Sequence, residues 1–385
     1  MNKENKEVRP LGELREEIDR VDRTLVSLFA ERMTLSRAVA DYKRAVGMAV
    51  TDKTREAALL DRVAALSPSD LADYTRTLYG NILSLSRAYQ HKMLDRDAPL
   101  TTEIKKTVAV NAPFPTNATV ACQGVAGAYS AKAAAALFPT PDISYCAKFA
   151  DVFAAIESGK CRYGVLPIEN STAGSVTEIY DLMAKHRFYI VRAIRLPVEH
   201  CLLAQSGTKI EELKEIVSHP QALAQCGAFL AAHPEVKVTP MPNTALAAQH
   251  AAANRQVAAI ASRDCAALYG LSVLAGEICD TKNNCTRFIC ISKNLEIYGG
   301  ADKTSLILTA AHEPGSLAKL LSRFEALQIN LTKLESRPIP ERSFEFRFYF
   351  DLVSPASSPA LLQLLAELAG EHEDFRYLGT YAELE

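Results

Sequence analysis

Residues 11–46 read LGELREEIDRVDRTLVSLFAERMTLSRAVADYKRAV, and this stretch decides how the N-terminal part of the chain must fold. Apolar residues recur at Leu11, Leu14, Ile18, Val21, Leu25, Leu28, Leu35, Val39, Tyr42 and Val46. The spacing is heptad-like and predicts one long helix with a single apolar seam. At 1.5 Å per residue such a helix is about 50 Å long. A segment of about 85 residues has no core large enough to cover that seam, so the expectation is pairing with a second copy of the chain. Two further helical stretches follow at 52–66 and 69–93, the first stopped by Ser67-Pro68. Residues 9–93 therefore read as an all-α, intertwined bundle.

Outward from this bundle the periodicity is lost. Residues 94–116 collect Pro99, Pro113 and Pro115 among polar residues, which predicts a linker. Between 117 and 294 short apolar strands at 119–123, 163–168 and 215–218 are each followed by an Ala-rich helix, at 130–138, 176–186 and 221–232. That alternation indicates α/β layers. From 302 to 383 the order is strand 304–309, helix 315–327, strands 329–336 and 344–352, helix 359–371 and a last strand to Tyr381. This β-α-β-β-α-β order is the α+β ferredoxin-like motif.

Composition bounds the function. A chain of 385 residues is longer than one core usually supports, so two or three domains are expected. With 48% apolar and 23% charged residues it is an ordinary globular protein, and a net charge of −2 creates no field that gathers nucleic acid or an anionic membrane. Residues 1–10 are polar and charged without an apolar signal core, and no later run of about 18 apolar residues could span a bilayer. A cytoplasmic protein is expected, with small molecules or copies of itself as partners. The nine cysteines include no C-x-x-C pair; Cys279, Cys285 and Cys290 come closest to clustering, and reduced, buried thiols are expected. No metal and no cofactor is implied.

Candidate site residues stand out where they break the pattern. Arg32 falls on the seam of the long helix, where an unpaired guanidinium is costly, so something anionic should meet it. Lys43 lies about 20° further round the same helix, whereas Arg15 points about 100° away and would serve another pocket or the partner's. Asp52, Arg55 and Glu56 share one face of the second helix, and Ser86 and Gln90 share one of the third. The result is a cationic site with a few carboxylate and amide groups. In the middle segment four motifs sit at strand–helix or strand–loop junctions: G-V-A-G-A-Y-S at 124–130, E-N-S-T-A-G at 169–174, S-H-P-Q at 218–221, and N-C-T-R-F at 284–288 leading into a strand at 288–291. Backbone N–H groups at helix starts flanked by hydroxyls attract carboxylates, and a dicarboxylate ligand would fit. The same glycines and hydroxyls also serve tight turns and caps.

Taken together, L-R-E-E-I around Arg15, A-E-R at Arg32, Y-K at Lys43, D-K-T-R-E from Asp52 to Glu56, and S-R-A-Y-Q from Ser86 to Gln90 resemble the all-helical chorismate mutase family. The resemblance implies that Arg15 reaches across from the partner and that Arg32 and Arg55 hold the two substrate carboxylates. By the same resemblance Asp52 and Glu56 bind the ring hydroxyl region, Lys43 and Gln90 meet the ether oxygen, and Ser86 assists at a carboxylate. The four middle motifs resemble, in this succession, those of prephenate dehydratase, a fold of two α/β lobes similar to periplasmic binding proteins with substrate between them. That resemblance puts Thr286 at the departing hydroxyl as a positioned donor. Arg287 is either a carboxylate anchor or a structural ion pair, and Ser130, Asn170, Ser171, Gln221 and Thr244 are further candidates for the cleft lining. In the last segment, Gly315, Ser316 and Leu317, and then Glu335, Ser336, Arg337 and Pro338, resemble the effector motifs of the ACT domain of phenylalanine-inhibited dehydratases. Ser316 replaces the usual Ala, and Phe344 stands where a Trp is common.

The implied protein is a multidomain enzyme turning chorismate into prephenate and prephenate into phenylpyruvate, with L-phenylalanine as effector, as a homodimer or homotetramer. Two other readings fit the same pattern: a dehydratase with a mutase segment kept for dimerisation, and a non-catalytic amino-acid-responsive binding protein.

Overall fold

The computed structural model describes residues 9–48, 50, 52–94, 98–339, 342, 345–372 and 374–385, apart from the side chains of Lys53 and residues 91–94. Phe344 lies outside the described residues. The chain divides into two compact units. One holds the described residues within Met1–Glu103 with Ala310–Asn330 and Pro359–Phe375; the other holds Ile104–Thr309, Leu331–Ser358 and Arg376–Glu385. The ferredoxin-like segment is thus shared out, its helices with the N-terminal bundle and its strands with the middle segment.

The bundle consists of α1 (Leu11–Val46), α2 (Lys53–Leu66) and α3 (Ala72–Leu94), with α1 and α2 both packed against α3. Helix α1 stops at Gly47, which takes the left-handed conformation at φ 70 and donates its N–H to the last carbonyls. Among the described residues nothing covers its seam fully: Ile18, Leu25 and Leu35 are 57%, 55% and 62% exposed. Helix α2 is capped by Asp52, which accepts from the Arg55 N–H at 3.0 Å. The predicted linker contains a fourth helix, α4 (Pro99–Val110), with Thr101 and Ile104 buried. Pro99 was expected to break structure, but it occupies the first helical position, where its missing N–H has no helical partner to lose.

The middle segment runs β1 (Asn117–Gln123), α5 (Tyr129–Leu137), β2 (Thr140–Cys146), α6 (Phe149–Glu157), β3 (Tyr163–Asn170), β4 (Gly174–Ser175), α7 (Thr177–Lys185), β5 (Tyr189–Pro197) and β6 (Cys201–Gln205). It continues with β7 (Glu215–Ser218), α8 (Pro220–Ala224), α9 (Gly227–Ala231), β8 (Lys237–Pro240), α10 (Thr244–Ala252), β9 (Val257–Ala261), α11 (Asp264–Tyr269), β10 (Leu271–Ala275) and β11 (Cys285–Ser292). Then come β12 (Lys303–Thr309), α12 (Ser316–Ala326), β13 (Asn330–Pro338), β14 (Phe346–Val353), α13 (Pro359–Glu371), β15 (Arg376–Tyr381) and β16 (Glu383–Leu384).

Three sheets result, ordered β16-β5-β11-β3-β1-β2 with β4 paired to β3, then β10-β6-β9-β7-β8, and β13-β14-β12-β15. The first two are the expected two lobes, and the chain crosses between them twice, from Pro197 to Cys201 and from Ala275 to Cys285. Ile307, Tyr349, Leu378 and Tyr381 of the third sheet share a core with Ile289 of the first sheet and with Val152 of α6 and Ile179 of α7. At Gly379, φ 130, an added Cβ would lie 2.3 Å from the Ile190 carbonyl oxygen, so only glycine allows β15 this close to β5.

Two expected boundaries shift. The helix predicted at 221–232 is two short helices broken at Gln225 and Cys226. All of the N-C-T-R-F motif but Asn284 lies inside β11, which starts at Cys285, three residues earlier than expected. The nine cysteines are free; Cys146, Cys279 and Cys285 are half-buried rather than buried. No helix among the described residues is long and apolar enough to cross a membrane.

Candidate active sites

The helical unit holds a cavity of about 610 Å³, open to solvent on one side, whose wall includes Arg32, Lys43, Asp52, Arg55, Glu56, Ser86 and Gln90. Seven of the eight residues singled out for the first site therefore meet in one place. Helical geometry is the reason: Arg32 and Lys43 share a face of α1, while Ser86 and Gln90 share one of α3. Arg32 donates to the Ser86 hydroxyl, which donates onward to the Ile82 carbonyl at 2.8 Å. Lys43 is tied to the Val50 carbonyl. Gln90 is 8% exposed, and its Oε1 has no hydrogen-bond partner among the described residues, so it is an unfilled acceptor in the wall. The Asp52 carboxylate is engaged as the cap of α2. The eighth residue, Arg15, does not line this cavity; it is exposed near the start of α1. Arg87, absent from the sequence-derived set, does line it and donates to Glu56 at 2.5 Å.

The second candidate site surrounds Asn170 at the end of β3. Its Nδ2 donates to Thr286 Oγ1 and to Asn284 Oδ1, each at 2.8 Å, and its Oδ1 accepts from the Thr172 hydroxyl at 2.7 Å and the Ala173 N–H at 2.9 Å. Asn284 donates to Gln225 Oε1 at 2.8 Å, and Gln225 donates to the Thr172 hydroxyl at 2.7 Å. His200, just before β6, meets the same Gln225 oxygen at 3.1 Å. Burial lowers the pKa of His200 against the opposing hydrogen bond, which keeps the imidazole neutral near neutral pH. This network ties the first lobe to the second where the chain crosses between them. Ser171 bridges it to the backbone, donating to the Asn283 carbonyl at 3.0 Å and accepting from the Cys285 N–H at 2.9 Å. Thr286 is buried and accepts from Asn170, yet it donates to no acceptor among the described residues.

Arg287 is not beside Thr286. Because both lie within a strand, their side chains leave opposite faces of the sheet. Arg287 instead pairs with Asp351 and Glu383 and donates to the Tyr381 hydroxyl at 2.9 Å. Burial opposes its charge, but Tyr381, Asp351 and Glu383 outweigh that and hold its pKa above the ordinary value. Of the two roles left open for Arg287, the geometry supports the structural ion pair. Ser130, Gln221 and Thr244 stand in the first turns of α5, α8 and α10, and their side chains make no hydrogen bond to the Asn170 network among the described residues. The S-H-P-Q motif is a helix start, with the His219 ring accepting from the Gln221 N–H at 3.3 Å.

In the third segment, Gly315 precedes α12 in a left-handed conformation at φ 80, while Ser316 and Leu317 form its first turn. Glu335, Ser336, Arg337 and Pro338 end β13, in the other unit. Within that unit β13 grips the loop that carries Asn170: Lys333 pairs with Glu169 at 2.8 Å, and Ser175 donates to Glu335 at 2.7 Å. Arg337 pairs with Asp181 of α7 at 3.0 Å.

Family models of chorismate mutase type II, prephenate dehydratase and the ACT domain match residues 14–91, 120–296 and 304–370. A bifunctional chorismate mutase/prephenate dehydratase of Enterobacter agglomerans is 32% identical over 99% of this chain and 97% of its own length. The chain belongs to the bifunctional chorismate mutase/prephenate dehydratase family. It is an enzyme with a mutase, a dehydratase and an ACT domain in that order. Among solved structures, prephenate dehydratase from Arthrobacter aurescens in complex with L-Phe matches 69% of this chain and 89% of its own, with 29% identity and a TM-score of 0.63. A chain described as GqqA, a novel type of quorum quenching acylase, matches 68% of this chain and 97% of its own, with 30% identity and a TM-score of 0.62.

Against this family background, the residues that sequence reasoning missed are Arg87 in the mutase wall and Thr172, His200, Gln225 and Asn284 around Asn170. Arg87 had a usable signal, since it stands one helical turn before Gln90. Asn284 had one too, as the first residue of a quoted motif. Gln225 and His200 had none, because only the crossing of the chain between lobes brings Gln225 to Thr172 and His200 to Gln225.

Proposed function

We propose that this chain converts chorismate to prephenate in the helical cavity and prephenate to phenylpyruvate at Thr286, and that L-phenylalanine bound by the ACT segment restrains the second step. The observation that carries the reading is the pair of sites just described: seven candidate residues that line one cavity, Gln90 among its cations, and a Thr286 hydroxyl that accepts from Asn170 and has a proton to give. We take the domain limits as 9–93, 117–294 and 302–383.

The first reaction is unimolecular and transfers no proton. The protein need only hold the folded diaxial conformer and stabilise the charge that grows on the ether oxygen. Arg32 and Arg55 hold the two carboxylates, Ser86 assists Arg32, Asp52 and Glu56 address the ring hydroxyl, and Lys43 and Gln90 face the breaking C–O bond. The second reaction expels the ring carboxylate as CO₂ and the C4 hydroxyl, which takes up one proton and leaves as water, while the ring becomes aromatic. A threonine hydroxyl is a poor acid unaided, so Thr286 acts as an oriented donor, with Asn170 holding its oxygen so that the proton points at the leaving group.

The working form is a homodimer at least. Support comes from the exposed α1 seam, whose pairing would also bring the partner's Arg15 toward the cavity. A regulatory path is supported by β13, whose Lys333 and Glu335 hold the loop from Glu169 to Ser175. Nine free cysteines suit a reducing compartment, the cytoplasm.

Purified protein incubated with chorismate should yield phenylpyruvate, and less of it in millimolar phenylalanine. Lys43→Ala should leave chorismate unconsumed while added prephenate is still converted, and Thr286→Ala should accumulate prephenate. Chorismate turnover by Lys43→Ala at the wild-type rate, or phenylpyruvate formed at an undiminished rate by Thr286→Ala, refutes the corresponding assignment.

A further inference from the structure

Helix α3 holds Arg87 between two acidic groups. Its guanidinium donates to Glu56 Oε2 at 2.5 Å on the cavity side and lies 3.5 Å from Glu371 Oε1 on the other. Glu371 is the last residue of α13, and its second oxygen is held by Arg323 of α12 at 2.5 Å. Arg323 in turn donates to Ser84 of α3 at 3.4 Å. A line of alternating charges therefore runs from the mutase cavity to both helices of the C-terminal segment, all inside one compact unit. The side chains are 14% exposed at Arg87, 24% at Glu56 and 13% at Glu371, so water screens these pairs only partly. Among the described residues Arg87 is the only cation paired with Glu56. The carboxylate therefore takes its position from Arg87, and Arg87 divides its charge between Glu56 and Glu371.

We propose that Arg87 is a positioning residue of the mutase site whose own placement is set by Glu371, so that the C-terminal helices tune chorismate binding through Glu371, Arg87 and Glu56. The proposal rests on the assignment of Glu56 to the chorismate site. A group that meets the ring hydroxyl contacts substrate in the ground state and in the transition state alike, so its displacement changes KM more than kcat. Residues in one ion-pair network couple strongly enough to make a single neutralisation visible as a roughly threefold to tenfold change.

The test uses the full chain with Glu371→Gln, Arg87→Met, Arg87→Lys, Glu56→Gln and the Arg87→Met/Glu371→Gln double variant, assayed with chorismate and, separately, with prephenate. Glu371→Gln should raise the KM for chorismate about threefold to tenfold with kcat within about twofold of wild type. In the Arg87→Met background the Glu371 substitution should add nothing further, and Arg87→Lys should recover part of the lost affinity by restoring the charge. Conversion of added prephenate should stay at the wild-type rate throughout, which reports that the dehydratase unit is intact, and a far-ultraviolet circular dichroism spectrum matching wild type reports that the helical unit is folded. Additive effects of the two substitutions, or a KM unmoved by Glu371→Gln while Glu56→Gln raises it, overturn the relay alone. A KM unmoved by Glu56→Gln overturns the site assignment beneath it.

Discussion

Replacing Arg287 by Met separates a structural role from a substrate-binding one. Arg287, Asp351 and Glu383 are 9%, 14% and 5% exposed, so removing the guanidinium leaves two buried carboxylates short of a partner. Breaking a buried pair from one side costs about 3–5 kcal/mol. Here the lower end applies, because Glu383 keeps Lys303 and Arg195, the latter at 2.8 Å, and Asp351 keeps the Ser305 hydroxyl at 2.5 Å. For a unit of this size about 3 kcal/mol corresponds to a fall of roughly 6–12 °C in the melting temperature. The assay is differential scanning calorimetry, following the transition of the dehydratase unit, together with prephenate kinetics at 25 °C, well below that transition. We expect the fall in Tm with a change in KM for prephenate smaller than tenfold, and a milder version of both for Arg287→Lys, which keeps the charge but loses the fork geometry. A Tm lowered by less than 2 °C with a KM raised more than tenfold, equivalent to about 1.4 kcal/mol of lost binding, would show that Arg287 grips substrate and that the ion cluster is incidental.

Two further outcomes follow from the same structure. Leu25→Glu on the exposed α1 seam should halve the mass seen by sedimentation while the far-ultraviolet circular dichroism is retained, since burying a leucine is worth about 1.5–3 kcal/mol and two are lost per dimer; an unchanged mass would remove α1 as the pairing surface. Burial lowers the pKa of His186, His200 and His219, so the fold prefers them neutral, whereas the unfolded chain takes up protons near pH 6.5. Stability should therefore be full above about pH 6.5 and decline as the pH falls below it toward the folded pKa values, with a lower Tm at pH 5.5 than at pH 7.5 and a shallower slope in His200→Gln; a Tm independent of pH across that range contradicts the argument.

Local patterns were readable because they depend on short-range geometry alone. The 3.6-residue repeat placed Arg32 and Lys43 on one face and Ser86 and Gln90 on another, and the structure brings those faces to one cavity. The strand 215–218 and the helix 359–371 appear with the expected limits. Where the reading failed, a few residues stood in an unexpected local frame. Pro99 opens a helix instead of interrupting the chain, and Thr286 and Arg287 lie inside a strand instead of before it. With the strand already running at Cys285, alternation puts the Arg287 side chain on the face opposite Thr286, so a ligand candidate became the centre of an ion cluster.

What the sequence by itself determined was the three-part order, the helical seam and most of the mutase wall, since periodicity and motif spacing act over a few turns. What only the tertiary structure decided were contacts between residues far apart in the chain: Gln225 with Thr172 and Asn284, Glu371 with Arg87, Lys333 with Glu169, and Arg287 with Glu383. No short-range rule reaches them. Each pairs groups more than 50 residues apart, and such partners are chosen by how sheets and helices stack to bury apolar surface, after which the buried polar groups must find one another.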